Sequence, residues 1–420
     1  MHTHRFLVKG GTTLNGKVYV GGSKNAVLPI ITAAILTNEP VVLTNVPNIE
    51  DISTMIHILH FLGAKAEFEN NTLKIHAKGV ANVEIEHELV SKIRASILFL
   101  GPLLARNGEV RLAFPGGCVI GKRSVSAHLM ALEDLGAKAI ASKDILHLKA
   151  DKLIGKDFTL TEASVTATEN AITAAVLAEG KSIIRLAAAE PHVQDLCHFL
   201  NSMGAKISGI GTHTLKIDGV KKLHGTEYKI TPDYLEAGTL VLAAAITGGD
   251  VEVLDIDPHH LDIFWQKLRE VGVKFELKKD SVHVFPSKNL KACKKLQTAV
   301  FPNFPTDLQA PFATLLTQVE GTSFIFETMF EGRLHYLYEL EKMGLKPKIL
   351  NPYQAEITGP TKLKGAAVAS CDLRAGAAVV LAAMVAEGES EISNIYYIDR
   401  GYEKLDLKLN SLGANIKRII

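Results

Sequence analysis

The chain has 420 residues, 47% of them hydrophobic, with 46 Lys and Arg against 45 Asp and Glu. That length exceeds one ordinary core and leads us to expect two domains, and the hydrophobic content excludes a disordered chain. The even charge balance gives no global electrostatic reason to expect nucleic acid or an anionic membrane as a partner. No apolar run is long enough to span a bilayer, the one from Ala377 to Ala386 included. No apolar stretch of the signal-peptide kind follows Met1-His2-Thr3-His4-Arg5, and the four cysteines, Cys118, Cys197, Cys293 and Cys371, form no CxxC pair. Both features fit a reducing cytoplasm and argue against a zinc site or a disulfide framework.

Along the chain one short string returns six times. Leu62-Gly63-Ala64-Lys65 is followed by Leu135-Gly136-Ala137-Lys138, Met203-Gly204-Ala205-Lys206, Val271-Gly272-Val273-Lys274, Met343-Gly344-Leu345-Lys346 and Leu412-Gly413-Ala414-Asn415. The glycines are 73, 68, 68, 72 and 69 residues apart, a period that marks six structural repeats. In the first, Asp51 and Ser53 offer N-cap oxygens to a helix with Ile52, Met55, Ile56, Leu59 and Leu62 on its apolar face. Gly63 supplies a left-handed C-cap. Residues 64–68, a turn at Asn70-Asn71 and residues 73–76 then read as a β-hairpin. A second helix, Ala-rich and apolar on nearly all sides, is expected in each repeat, over 26–36, 95–105, 171–178, 237–246, 310–319 and 375–386. Most end at a glycine ahead of a β-rich run: Gly108, Gly180, Gly248, Gly321 and Gly388. Each repeat therefore reads β-α-β-α-β-β. One such unit cannot bury itself, whereas three around shared helices can, so six repeats make two domains.

Polar or charged residues stand just before every one of these apolar helices: Lys24-Asn25, Arg94, Thr168-Glu169-Asn170, Asp233-Tyr234-Leu235-Glu236, Thr306-Asp307-Leu308-Gln309 and Asp372-Leu373-Arg374. Helix N-termini carry free N–H groups and partial positive charge, which suit anions. Capping is the plain alternative for any single Asp or Asn, but it does not explain Lys24, Arg94 and Arg374, whose charges oppose the dipole. Three such cations suggest a site for a multiply anionic ligand. From Phe114 to Arg123 the string Phe-Pro-Gly-Gly-Cys-Val-Ile-Gly-Lys-Arg reads as a loop, of the kind that serves as a lid. Its Cys118 thiol stands beside two cations, which lower a thiol pKa from roughly 8.5 toward the range useful for proton transfer. A structural cysteine in a tight turn is the alternative, and that plainer reading is the one given to Cys197, Cys293 and Cys371. Ile398-Asp399-Arg400-Gly401-Tyr402-Glu403 sets an arginine before a glycine at a strand-to-helix junction, where backbone can approach a phosphate or carboxylate.

Taken together, Gly22-Ser23-Lys24-Asn25-Ala26, Arg94-Ala95-Ser96, Pro115-Gly116-Gly117-Cys118, Phe304-Pro305-Thr306-Asp307, Asp372-Leu373-Arg374-Ala375 and Asp399-Arg400-Gly401-Tyr402-Glu403 are highly specific. With them the chain resembles the UDP-N-acetylglucosamine enolpyruvyl transferases, from Phe6 to Lys417. The related shikimate-pathway transferases share fold and donor but differ at these motifs and lack the cysteine. The resemblance implies two inside-out α/β barrel domains, each of three β-α-β-α-β-β repeats. The first, 22–231, would carry the Cys118 lid loop, and the second would combine 1–21 with 232–420, with hinges near 20–23 and 230–233. It implies transfer of the enolpyruvyl group of phosphoenolpyruvate to the 3-hydroxyl of UDP-N-acetylglucosamine with release of phosphate, the first committed step of peptidoglycan synthesis. It implies a cytoplasmic enzyme, a monomer or weak oligomer, with no metal or organic cofactor, and a target of fosfomycin.

Residue by residue, the resemblance makes Cys118 the proton donor to the methylene carbon and Asp307 the group that orients and deprotonates the acceptor. Lys24, Asn25, Arg123, Arg374 and Arg400 would hold phosphoenolpyruvate. Arg94, Ser164, Val165 and the Met329 backbone would meet the nucleotide sugar. The acceptor side departs from the family pattern. Ser124-Val125-Ser126-Ala127-His128 replaces Pro-Val-Asp-Leu-His, Thr166 replaces a glycine, Tyr234 an arginine and Gly332 an asparagine, while Glu162 stands where some relatives have lysine. These changes keep two alternatives in view. One is an enolpyruvyl transferase for a different nucleotide or nucleotide sugar. The other is a catalytically weak regulatory paralogue that binds a nucleotide sugar, against which the retained Cys118, Asp307, Lys24 and Arg400 speak.

Overall fold

The computed structural model of the chain describes residues 4–114, 124–142 and 144–420. The chain divides into two compact units, and the passage from one to the other falls at 21/22 and 231/232. Each unit holds three four-stranded sheets. The repeat is clearest over 84–149. Glu84–Ile85 lies parallel to Glu109–Ala113, which pairs antiparallel with Ile145–Lys149, and that strand pairs antiparallel with Lys138–Ala139. The parallel pair flanks the buried helix, as a β-α-β crossover demands, and the antiparallel pair is the hairpin. All six sheets repeat this order.

Three sheets are completed from a distance, and in one of them Asn15–Tyr19 lies parallel to Asp250–Leu254. Thr226–Lys229 supplies the first strand beside Val41–Thr44. Arg5–Lys9 is inserted between Glu389–Ser393 and Asn415–Ile419. Strands alternate buried and exposed residues, as in the eBiBe pattern of Arg5–Lys9, so each sheet has one wet face and one apolar face. The apolar faces close on the Ala-rich helices. All of Tyr234–Ile246 is buried, and Leu373–Val385 and Gln309–Leu316 pack on it and on each other. In the 22–231 unit, Lys24–Ala33, Leu100–Asn107 and Val165–Ala175 fill the centre together with the 3-10 turn Arg94–Phe99. Helices inside and sheets outside are what the inside-out reading requires.

The repeat glycines keep their expected geometry. Gly63, Gly136, Gly204, Gly272, Gly344 and Gly413 all lie at φ between 94° and 102°, where a side chain is strained, so the six copies end the helix ahead of the hairpin in the same way. The hairpin after Gly63 forms over Lys65–Glu69 and Thr72–His76, and Asn70 and Asn71 take the positive φ of a type I′ turn.

Three local expectations are corrected. Asp51 and Ser53 do not cap their helix: Glu50–Leu62 starts after Ile49, and Asp51 is buried within it. Thr168, Glu169 and Asn170 lie inside Val165–Ala175 instead of ahead of it, because Ser164 is the capping residue. Arg400 follows the short helix Tyr396–Asp399 and leads toward Leu405–Ser411, so its junction is helix-to-helix. Among the described residues no helix is long and apolar enough to cross a membrane.

Candidate functional site

In the 22–231 unit the site residues gather where the buried helices begin. Lys24 opens its helix behind Ser23, whose Oγ accepts from the Ala26 amide. Its ammonium does not oppose the helix end unaided: Nζ lies 2.8 Å from Asp51 Oδ2, with both side chains largely buried. Asn25 is the next residue. Ser164 caps the third helix through the Ala167 amide, and no hydrogen bond of the described residues engages the amides of Val165 and Thr166. That helix end therefore keeps donors for an anion. Arg94 opens the 3-10 turn Arg94–Phe99, which has no side-chain cap.

His128 ties these pieces together. The Asn170 carboxamide is oriented by accepting from the Gly101 amide at 2.7 Å, and its nitrogen donates to the Ile97 carbonyl and to His128 Nδ1. Nδ1 is thus the acceptor, and Nε2 carries the proton to Thr166 Oγ1 at 3.1 Å. Burial, reinforced by the charge of Arg94, pushes the ring down to about 3, so the imidazole is neutral. Ser124 Oγ accepts from the Ser126 amide and contacts Ser126 Oγ, a local turn that starts the helix Ser126–Asp134. The serines of the altered stretch are thereby accounted for as helix-start residues. One helical turn into the third helix, Glu169 is fully enclosed with Oε1 unpartnered among the described residues, and burial first, Glu190 second, drive its pKa well above the usual carboxylate range.

The other unit concentrates charge. Asp307 accepts from Arg333 Nη2 at 2.8 Å through Oδ1 and from Arg374 Nε at 3.2 Å through Oδ2. Both arginines are almost entirely buried, at 4% and 3% side-chain exposure, while Asp307 keeps 25%. The Arg374 guanidinium lies 5.0 Å over the Tyr402 ring, whose hydroxyl meets Thr239 at 2.9 Å. Burial works against the Arg374 charge, but Tyr402, Asp307 and Asp233 override it and raise the pKa. Arg333 Nε and Arg374 Nη1 are buried donors without a partner among the described residues. Unsatisfied guanidinium donors beside a carboxylate are what a second anion would satisfy. Asp233 and Asp372 cap the two flanking helices, each accepting from two backbone amides.

Met329 follows Glu327, a fully buried carboxylate that accepts from Thr306 Oγ1 and from the Met329 and Phe330 amides. The Met329 amide is therefore occupied within the chain. Arg400 sits on the turn after Tyr396–Asp399, its guanidinium 5.8 Å from the Tyr396 ring centre. Within this unit Asp307 and Arg374 are in direct contact. Arg333 and Glu327 were not anticipated. Arg333 lies in a non-periodic stretch, and its only sequence signal is an arginine among the turn residues that follow a strand.

Cys118 and Arg123 lie outside the described residues. The remaining thiols behave as structural cysteines: burial pushes Cys197 up to about 12 and Cys293 and Cys371 up to about 11. No cluster of His, Cys, Asp and Glu suited to a metal ion occurs among the described residues.

Comparison with known proteins bears on this arrangement. The family profile of EPSP synthase (3-phosphoshikimate 1-carboxyvinyltransferase) matches residues 8–409. The UDP-N-acetylglucosamine 1-carboxyvinyltransferases of Borrelia garinii subsp. bavariensis and Borreliella burgdorferi are each 46% identical over 423 residues, covering 99% of this chain and of theirs. That of Treponema denticola is 44% identical over 422 residues with the same coverage. Among solved structures, the enolpyruvyl transferase NikO from Streptomyces tendae superposes with a TM-score of 0.89 at 24% identity, over 99% of each chain. EPSP synthase from Acinetobacter baumannii superposes with a TM-score of 0.75 at 19% identity over 100% of each. At those identities the two structures speak to fold alone.

Proposed function

The chain belongs to the enolpyruvyl transferase family typified by EPSP synthase, and from that premise we propose that it transfers the enolpyruvyl group of phosphoenolpyruvate to the 3-hydroxyl of UDP-N-acetylglucosamine, releasing phosphate. Full-length relatives of that name at 44–46% identity support this acceptor over another nucleotide sugar and over a non-catalytic role. The observation that carries the chemistry is Asp307, a partly exposed carboxylate held between two buried guanidinium groups.

Phosphoenolpyruvate carries a carboxylate and a phosphate. Lys24, Asn25, Arg123, Arg374 and Arg400 bind these groups, and the unsatisfied donors of Arg333 and Arg374 add to them. Arg94, the free amides at Val165 and Thr166 behind Ser164, and the Met329 backbone serve the sugar nucleotide. Both Asp307 oxygens are engaged by arginines. Arg333 and Arg374 hold Asp307 in place, and its carboxylate serves as the base for the acceptor hydroxyl. Cys118 protonates the methylene carbon, and the adjacent carbon becomes cationic in character. The 3-hydroxyl, losing its proton to Asp307, attacks there and gives a tetrahedral phospho-ketal. Loss of phosphate and of one proton of the new methyl group restores the enol ether. The protein contributes position and preorganised charge.

Phosphate release from phosphoenolpyruvate, assayed against UDP-N-acetylglucosamine, shikimate 3-phosphate and unrelated nucleotide sugars, tests the reading. Release only with UDP-N-acetylglucosamine is expected. Release with another acceptor and none with this one would overturn the acceptor, and none with any would overturn the activity.

A further inference from the structure

Arg418 belongs to no part of the proposed chemistry, yet its guanidinium makes four hydrogen bonds beside the turn that carries Arg400. It lies on Asn415–Ile419, the strand paired with Arg5–Lys9. Nη1 donates to Asp399 Oδ2 at 2.7 Å and Nη2 to Asp399 Oδ1 at 2.9 Å, a two-pronged pair on the residue immediately before Arg400. Nη2 and Nε also donate to Asp406 Oδ1 and Oδ2 at 2.9 and 3.2 Å. The guanidinium stacks 4.8 Å over Phe6.

The opposite side of the same turn is fixed by close packing. A Cβ on Gly401 would come within 2.2 Å of Leu373 Cδ1, and one on Gly376 within 2.6 Å of Ile398 Cγ1. The turn is therefore pressed against the start of Leu373–Val385, the helix that carries Arg374. Packing, with Ile395 and Ile398 fully buried, sets how near the turn lies to that helix and limits its rotation, but it does not set the plane of the partly exposed Asp399 carboxylate. A fork-to-carboxylate pair does fix it, because two parallel bonds define a plane as well as a distance. Exposed ion pairs contribute little to stability. Asp399 and Arg418 keep 32% and 27% side-chain exposure, so the consequence of this pair is geometric more than energetic.

We infer that Arg418, acting through Asp399, is a positioning residue for Arg400, aiming its guanidinium at the anionic donor. The inference rests on the proposed role of Arg400 toward phosphoenolpyruvate. Asp406 provides an internal control: it takes two of the four hydrogen bonds of the same guanidinium but is not next to Arg400 in the chain.

The test is steady-state kinetics on the full chain for Arg418→Lys, Asp399→Asn and Asp406→Asn, with both substrates varied and Tm recorded. Misplacing a binding group by a fraction of an ångström to one ångström costs about tenfold to a hundredfold. The KM for phosphoenolpyruvate is expected to rise about tenfold in Arg418→Lys and Asp399→Asn, with kcat and the KM for UDP-N-acetylglucosamine within about twofold. Asp406→Asn is expected to leave all three constants unchanged, whatever it does to Tm. If Asp399→Asn and Asp406→Asn raise the donor KM alike, or if Tm falls with no change in that KM, Arg418 is structural and the inference is wrong. Should Arg418→Lys fail to fold, the Asp399/Asp406 pair decides alone. A wild-type chain that releases no phosphate would instead strike at the enolpyruvyl reading itself.

Discussion

The two units present the same three helix ends in different chemical dress. In the 22–231 unit the first and third buried helices are capped by serines, Ser23 and Ser164. In the other unit the corresponding caps are aspartates, Asp233 and Asp372. In both, the middle helix opens through a 3-10 turn without a side-chain cap, at Arg94–Phe99 and at Thr306–Leu308. A serine satisfies an amide without adding charge, so the positive helix end stays available to an anion. An aspartate cancels that end, and the second unit recovers positive charge from Arg333 and Arg374, which it spends on holding Asp307. One fold repeated twice thus yields helix ends capped without charge in one copy and a carboxylate held between two buried arginines in the other.

The largest effect expected from this contrast is at Asp307. Asp307→Asn removes the proton acceptor while keeping its shape, and turnover should fall about a thousandfold, within the usual span for a general base. Calorimetric binding of UDP-N-acetylglucosamine should survive. Retained turnover would mean that the charged cluster is not the reactive one. Ser164→Asp probes the other copy by giving it the cap of its counterpart. The KM for the sugar nucleotide should rise about tenfold, since a carboxylate now occupies the helix end, with little change in Tm because the cap is kept. An unchanged KM would show that the helix end at Ser164 holds no anion.

A smaller effect is expected at Glu169. Its folded pKa is raised above the ordinary 4.5, by burial first and Glu190 second. Its neutral form therefore fits the core below the carboxylate range, and that advantage is lost as pH climbs toward the folded pKa. Glu169→Gln keeps the neutral shape at every pH, so its gain in Tm over wild type should grow as pH rises above the ordinary carboxylate value toward the raised folded pKa. A difference that does not vary with pH would contradict the burial of an ionisable carboxyl there.

Periodicity made most of the fold legible. The six glycines, the Ala-rich helices and the hairpins follow from local rules, and the comparisons bear out the inside-out α/β fold. The polar residues near the helix starts were legible as a group, but not their partners. Lys24 and Asp51 are 27 residues apart and meet only after two helices pack. That pairing resolves the apparent misfit of a cation at a helix N-terminus, and Asp307 does the same for Arg374. Arg333 could not be found from pattern, because its burial is due to ion pairing and not to an apolar face. Thr168 to Asn170 were misplaced because a polar run inside a buried helix looks like a cap when its neighbours across the core are unknown.

Transfer of an enolpyruvyl group to one hydroxyl of one acceptor is tested most directly by product analysis. The purified chain would be incubated with phosphoenolpyruvate and UDP-N-acetylglucosamine, and the product followed by NMR. The expected result is an enol ether at the sugar 3-oxygen formed in step with phosphate. Phosphate without that ether, or an ether on a different acceptor or hydroxyl, would contradict it.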